Sequence, residues 1–531
     1  MPTLNWIGKD AVVNHHHRVP FHLLKDVPDL GCGKTGDRNL IVQGDNLVAL
    51  KALLPYYAGQ VKCIYIDPPY NTGNEGWAYN DNVKSPLITE WLGKVVGGEG
   101  ETLDRHDRWL CMMYPRLAML RQFLREDGVI FISLDDNEAG HCRLLMDEVF
   151  GARNFVADIL WQKRTSPDAR LLLSDAHEHI FCFAMNRDCL TLNKVPQTEK
   201  QRATFKNPDN DPRGPWVSSD YSAQGVRPRQ MYEITTPSGR KVKPAIGTCW
   251  KNVEEVFHKL VAENRIWFGK EGNGVPRRKT FLSESEGVSS WTWWPNDEVG
   301  HSQEAKKELL DLFEAQGVFD TPKPVRLLKR ILQIATVPGD MILDSFAGSG
   351  TAAHATLSLN KEDGGNRRFI LVEMEPKIAR EVTAERVRRV IEGYKNLKGE
   401  KVEGLGGGFR FCELGEPLFD RDGKIRETVS FSDLARHVYF TETGEPLPRE
   451  RVTKSPLIGD HHGLGIYLLY NGILGDKSAN GGNVLTRQVL AQLPKFEGQK
   501  VIYCAGNLLA PDRLRSEKII VRQTPYEVKV S

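Results

Sequence analysis

Residues 61–73 read Val-Lys-Cys-Ile-Tyr-Ile-Asp-Pro-Pro-Tyr-Asn-Thr-Gly. Asp67 brings a carboxylate, and the carbonyl beside a proline lies close to it. Such a pair of acceptors matches the two N–H donors of an exocyclic amine on a nucleobase. Accepting both hydrogens draws the nitrogen lone pair out of ring conjugation and aims it at an electrophile. Tyr70 adds a ring on which a base could stack once rotated out of a duplex. A plainer reading is an Asp-Pro turn with a packed tyrosine.

A second set of residues could hold the electrophile. Gly339-Asp340-Met341-Ile342-Leu343-Asp344-Ser345-Phe346-Ala347-Gly348-Ser349-Gly350-Thr351 reads as a strand, a glycine turn and a helix starting near Thr351. The next strand, residues 368–372, ends in Glu373. Glycines at such a turn let a ligand approach the backbone. An acid after the following strand, about 20 residues on, takes ribose hydroxyls in dinucleotide-type half-folds.

The elements that must position these residues follow from periodicity. The apolar run before Asp67 reads as a buried parallel strand, and the prolines stop it. Residues 39–46 read as a strand ending in Gly44-Asp45-Asn46, followed by a helix with Leu47, Leu50, Leu53 and Leu54 on one face. Strand, helix, strand makes one right-handed crossover and predicts Asp45 and Asp67 at neighbouring strand ends. A helix is expected over 109–126, a strand over 128–138 ending in acids, a helix over 144–150 closed by Gly151, and a helix over 325–335. After Asn80-Asp81 a glycine-rich loop is expected around Gly97 to Gly100.

Composition narrows the class. The 531 residues predict two to four domains, and 71 basic against 69 acidic residues leave a net charge of only +2. Any basic surface is therefore local. No apolar run has the length of a membrane span, and the first residues do not pattern as a signal peptide. Nine scattered cysteines with no Cys-x-x-Cys pair fit reduced thiols in the cytoplasm. Gly31 to Gly36 matches half of a phosphate loop, but Pro28 stands where the first glycine belongs, so a flexible turn is expected. His15-His16-His17 cannot all face one way and read as a solvated arm, not a metal site.

Residues 161–320 break the α/β pattern. They interleave basic and aromatic residues: Lys163-Arg164, Arg227-Pro228-Arg229, Arg240-Lys241, Arg277-Arg278-Lys279 and Trp291-Thr292-Trp293-Trp294. A base-reading module needs such groups, but a β-rich insert whose tryptophans form its own core would look the same. Gly404 to Gly408 reads as a linker, and the residues beyond it read as a packing or assembly domain. Neither flanking half is a complete doubly wound sheet, so the two are expected to join into one.

With these motifs in this order, the chain resembles the amino-group DNA methyltransferases of the permuted β class. It is most similar to the modification subunits of Type III restriction systems, over about residues 39–160 and 320–415. Tyr79-Asn80-Asp81 and Gly407-Gly408-Phe409-Arg410 belong to that resemblance. It implies an α/β, Rossmann-like methyltransferase sheet in circularly permuted order. The implied domains are an N-terminal arm (1–38), a catalytic half (39–160), a target-recognition insert (161–320), a cofactor half (321–400) and a C-terminal α+β domain (401–531). It implies S-adenosylmethionine as cofactor, N6 of adenine in double-stranded DNA as acceptor, a homodimer, and a helicase-nuclease partner.

Carried over by matched position, Asp67, Pro68, Pro69 and Tyr70 are catalytic. Phe346 packs on the cofactor adenine, Gly348 and Gly350 shape its methionine side, and Glu373 takes the ribose. Asp45 and Asn46 meet the adenine and Lys323 the carboxylate, while Asp67, Asp344, Ala347 and Thr351 complete the set. Ser345 stands where many relatives have proline. An aspartate opening the tetrapeptide favours adenine over cytosine N4. The sequence has no Pro-Cys nucleophile, and direct in-line transfer needs no metal. An RNA or protein amine methyltransferase, or a non-catalytic specificity subunit, would share the same pocket.

Overall fold

The computed structural model describes residues 4–33, 39–72, 105–170, 172–315, 317–420, 424–448, 455–470, 473–475 and 482–523. Lys34 to Gly36, Gly73, Tyr79-Asn80-Asp81 and the loop from Gly97 to Gly100 lie outside the described residues. The chain divides into two compact units, residues 1–192 with 291–531, and residues 193–290. No helix among the described residues is long and apolar enough to cross a membrane.

The larger unit is built on one ten-stranded sheet. Its elements in chain order are β1 (His22–Asp26), β2 (Leu40–Gln43), α1 (Asn46–Tyr57), β3 (Val61–Ile66), α2 (Arg105–Phe123), β4 (Leu124–Leu134), α3 (Ala139–Met146), β5 (Phe155–Gln162), β6 (His177–Ala184), β7 (Trp293–Trp294), α4 (Val325–Ala335), β8 (Met341–Asp344), α5 (Thr351–Asp363), β9 (Arg368–Glu373) and β10 (Arg410–Pro417). The strand order is β1-β10-β2-β9-β8-β3-β4-β6-β5-β7. From β10 to β4 all neighbours are parallel, and β6 then runs antiparallel to β4. All six residues of β3 are buried, as a parallel strand covered on both faces requires. The two halves do join into one sheet: β8, from the second, lies directly against β3, from the first.

This interleaving overturns one expectation. β2 and β3 are not neighbours, because β9 and β8 lie between them, so Asp45 and Asp67 sit at separated strand ends. A crossover helix fixes the hand of a connection, not the number of strands it passes over. The helix expected to reach Glu126 stops at Phe123, since Leu124 already pairs with Val61; sheet pairing overrides local helical pattern.

Three segment boundaries also differ. The N-terminal residues are not a solvated arm: Trp6, Val12, His16 and Phe21 are buried. Burial there holds the His16 imidazole down to about 4. β1 pairs antiparallel with β10, so residues on either side of the expected core limits form its edge. The Gly404–Gly408 stretch is tied to the preceding helix by Leu405 N to Val390 O, 2.9 Å, and leads straight into β10. Beyond it, a four-stranded sheet of Leu457–His461, Leu464–Leu468, Gln499–Cys504 and Ile519–Gln523 shares its core with α1 through Leu434, Val438 and Ile466.

The smaller unit, residues 193–290, lies inside the expected insert of 161–320. Residues 161–192 and 291–320 belong to the larger unit instead, because β5, β6 and β7 extend its sheet. Trp294 is buried and pairs with Trp161 there. Within the smaller unit, Tyr221, Ile234, Trp250, Phe257 and Phe268 make a separate core. Lys279, expected among the exposed basic residues, is buried against Asp209 and Asp211.

Candidate active site

Two bends meet at the carboxyl edge of β3 and β8. The register pairs Leu343 with Ile64, so the two strands end side by side and both Asp67 and Phe346 line one cavity. Ligands collect at such an edge in open α/β sheets. A cavity of about 870 Å³ opens there.

The bend after β3 is held by its surroundings. Trp109 Nε1 donates to the Pro69 carbonyl at 2.7 Å, which leaves the Pro68 carbonyl as the acceptor of this turn not engaged by Trp109; both prolines line the cavity. Asn71 follows in a left-handed conformation, φ 59°. Its amide donates to Glu138 and to the Arg105 carbonyl. Glu138 is fully buried and also takes the rings of His106 (2.8 Å) and His141 (3.0 Å).

The Tyr70 hydroxyl donates to Asp67 Oδ1 at 2.7 Å and lies 2.9 Å from Glu178 Oε2. A phenol has one hydrogen, so it serves one carboxylate at a time. Lys323 Nζ sits 2.6 Å from Asp67 Oδ2 and 3.6 Å from Glu178. It also lies 5.0 Å from the Tyr70 ring centre. Lys163 Nζ is 3.6 Å from Glu178 on the other side. Asp67 and Glu178 are thus each within 4 Å of an ammonium group. Burial pushes the Asp67 carboxyl above the usual carboxylate range; Glu178 adds to this and Lys323 opposes it. Burial, with Asp67 and Glu178 nearby, also pushes the Tyr70 hydroxyl well up.

The bend after β8 uses backbone instead. Gly348 has φ 49° and Gly350 φ 78°, conformations that suit glycine. A Cβ on Gly348 would lie 2.9 Å from the Phe319 ring. Glu373 Oε2 accepts from Gly348 N at 2.8 Å and Oε1 from Glu375 N at 3.0 Å. Beneath the bend, Arg386 is buried and donates to Ser349 Oγ (2.9 Å) and Thr351 Oγ1 (2.8 Å). Burial lowers its guanidinium to about 10.

The cavity wall brings together Asp67, Pro68, Pro69, Tyr70, Lys323, Asp344, Phe346, Ala347, Gly348 and Thr351. Asp45, Asn46, Gly350 and Glu373 are not on it. Asp45 caps α1 through Val48 N (3.0 Å) and pairs with Arg116 (3.0 Å). Asn46 also accepts from Arg116 and donates to the Ser345 carbonyl at 3.4 Å. Glu373 braces the glycine bend from behind, because the buried N–H of Gly348 needs an acceptor. Lys323, expected against a cofactor carboxylate, ion-pairs with Asp67, because two buried carboxylates need a counter-charge.

Sequence reasoning missed Glu178. Its signal was a lone acid in His177-Glu178-His179-Ile180-Phe181-Cys182-Phe183-Ala184, a strand otherwise apolar or imidazole. It also missed Phe319 and Trp161, which line the same cavity.

The cavity suits a ligand carrying both an apolar ring and polar groups. Thr72 lines it with a buried hydroxyl that has no hydrogen-bond partner among the described residues, and Gly348 exposes backbone where a Cβ would press on Phe319. S-adenosylmethionine, with its adenine ring and polar tail, fits such a wall.

A family model described as DNA methylase matches residues 61–385. The chain is 38% identical over 405 residues to the Type III restriction-modification enzyme StyLTI Mod subunit of Salmonella typhimurium, covering 72% of this chain and 60% of that one. It is 32% identical over 423 residues to the EcoPI Mod subunit of Escherichia phage P1, covering 71% and 64%. The Type II methyltransferase M.KpnI of Klebsiella pneumoniae is 30% identical over 392 residues, covering 68% of this chain and 89% of that one. The chain thus spans about three fifths of the length of the first two relatives.

Proposed function

The chain belongs to the DNA methylase family, and from that premise we propose that it methylates N6 of a flipped adenine in duplex DNA at a specific sequence, as the modification subunit of a Type III-like restriction system. The observation that carries this reading is the meeting of the two bends in one cavity, whose wall includes both Asp67 and Phe346.

S-adenosylmethionine, held by Asp344, Phe346, Ala347, Gly348 and Thr351, supplies a methyl group already activated on a sulfonium. The protein's work is then placement and charge. Asp67 and the Pro68 carbonyl accept the two N6 hydrogens. Each Asp67 oxygen has a second lone pair beyond those facing Tyr70 and Lys323, so the amine need not displace either. Tyr70, its hydroxyl pinned between Asp67 and Glu178, presents its ring to the base. Asp67 lies near enough to take up the proton that the amine sheds.

Residues 193–290 would read the sequence. Arg227, Arg229, Arg240, Lys241, Lys243 and Arg278 are exposed there and suit phosphates. Trp250 packs the unit's core and Trp216 is buried too, so base contacts would fall to polar groups and shape. A helicase-nuclease subunit and a second copy of the chain are the proposed partners, and the cytoplasm the proposed location. Pull-down from the native host would test the partners.

Offering duplex DNA and RNA with labelled cofactor tests the central reading. Label in DNA at adenine N6, at one sequence in methylation-sensitive long-read data, is the expected result. Label in RNA or protein alone overturns it.

A further inference from the structure

We propose that the hairpin between β5 and β6 is a wedge, whose Leu172 and Leu173 enter the base stack of duplex DNA where the target base has left. This rests on the reading above as a DNA methyltransferase.

Gln162 and His177 face one another across the strand pair, leaving residues 163–176 as a long hairpin loop. Loops of this length inside a compact unit are usually functional or disordered. This one is braced. Lys163 N donates to the Ala176 carbonyl at its neck, 2.8 Å. Asp168 N donates to Ser174 Oγ across it, 2.8 Å. Asp168 clamps Arg170 through two side-chain bonds of 2.9 and 2.7 Å, and Lys163 pairs with Asp175 at 3.2 Å.

Next to these braces stand Leu172 and Leu173, which nothing among the described residues covers. Leu172 is fully exposed and Leu173 is 90% exposed; the next most exposed leucine among the described residues, Leu508, is 72%. Exposed leucines at the tip of a tied loop forgo their burial in the free protein. They suit a site that buries them only on binding.

The occupant follows from position and charge. Arg164, Arg170 and Asp175, on both arms of the loop, line the mouth of the cavity that holds Asp67. The roots of the hairpin carry Lys163 and Glu178, which reach the Tyr70 and Lys323 cluster. The loop that carries the leucines therefore lines the cavity up to Arg170, two residues before Leu172. A base rotated into the cavity leaves an apolar gap in its stack, flanked by phosphates. Leucine is among the side chains that fill such gaps, and the exposed Arg164 supplies a phosphate partner on the same loop.

The test uses the full chain with Leu172→Ala and Leu173→Ala together. Both sites are solvent-exposed, so folding should be unchanged. The DNA is a duplex of the methylated sequence, and the same duplex with an abasic site opposite the target adenine, which lowers the cost of flipping. On the paired duplex the double variant should lose on the order of 10-fold or more in methylation rate. It should also lose most of the fluorescence rise of 2-aminopurine placed at the target. On the abasic duplex the two proteins should methylate at similar rates. Equal rates on the paired duplex would overturn the wedge, as would an equal loss on both duplexes. Failure of the wild type to methylate any duplex would instead overturn the reading on which it rests.

Discussion

The two bends that close the cavity differ in how they are made. The one after β3 is stiffened by Pro68 and Pro69, and it presents side chains: Asp67 and Tyr70, tied to Glu178 and Lys323. The one after β8 is opened by Gly348 and Gly350, and it presents backbone, braced from behind by Glu373. Adjacent parallel strands deliver both to one edge. A carboxylate that must hold an amine in one direction gains from a turn with few alternatives. A surface that must admit a ligand closely gains from missing side chains. On the proposed function, the contrast amounts to a division of labour to be tested: transfer governed by the proline bend and cofactor affinity by the glycine bend.

Removing the carboxylate should cost most. Asp67→Ala should lower turnover by ~10³-fold or more, the scale of losing a pre-organised group that meets developing charge. DNA binding, followed by gel shift, should stay within a few-fold of wild type. Retained methylation would break the comparison at its centre.

Gly348→Ala tests the other bend. The new Cβ would occupy a left-handed conformation, costing about 1–2 kcal/mol, and would press on Phe319. Calorimetry should show cofactor affinity weakened by roughly 10-fold, with DNA affinity unchanged. An effect on DNA binding alone would show that the glycine bend does not serve the cofactor.

Glu178→Gln probes the side-chain network without opening a hole. Hydrogen bonds to charged groups contribute about 1.5–3 kcal/mol. If Glu178 orients Tyr70, kcat should fall by roughly 10-fold with little change in the cofactor's KM. A change confined to the cofactor's KM would move Glu178 to the other side of the division.

Much of this was legible in the sequence, and the reason is locality. β3 ends where Pro68 begins, α5 starts at Thr351, and α4 spans Val325 to Ala335, because each is written in neighbouring residues. The joining of the two halves could be inferred, since neither contains enough strands alone. Sheet order was not legible: nothing near Asp45 reveals that β9 and β8 come between it and Asp67. Glu178 was hidden for the same reason, because its role depends on an antiparallel strand packed beside β4, 108 residues from Tyr70. Lys279 had the composition of a phosphate contact, yet it faces Asp209 inside its own unit. Charge alone does not say which way a side chain points.

The smallest effect expected is on the pH dependence of transfer, and its sign separates two roles within the proline bend. In the role proposed for it, Asp67 is a strong acceptor for both amine hydrogens, and can take up the proton the amine sheds, only when ionised. Burial raises its carboxyl above the ordinary value, so the acid limb of the kcat profile should lie at higher pH than an exposed aspartate would give. Glu178 pushes in the same direction and Lys323 in the opposite one. Glu178→Gln should therefore move the acid limb to lower pH, and Lys323→Met should move it to higher pH. Both variants leave Asp67 in place, and both can be followed at saturating cofactor and DNA. If the two limbs move together, or neither moves, the group titrating on the acid side is not Asp67, and the ammonium of Lys323 belongs to the glycine bend rather than to the proline bend.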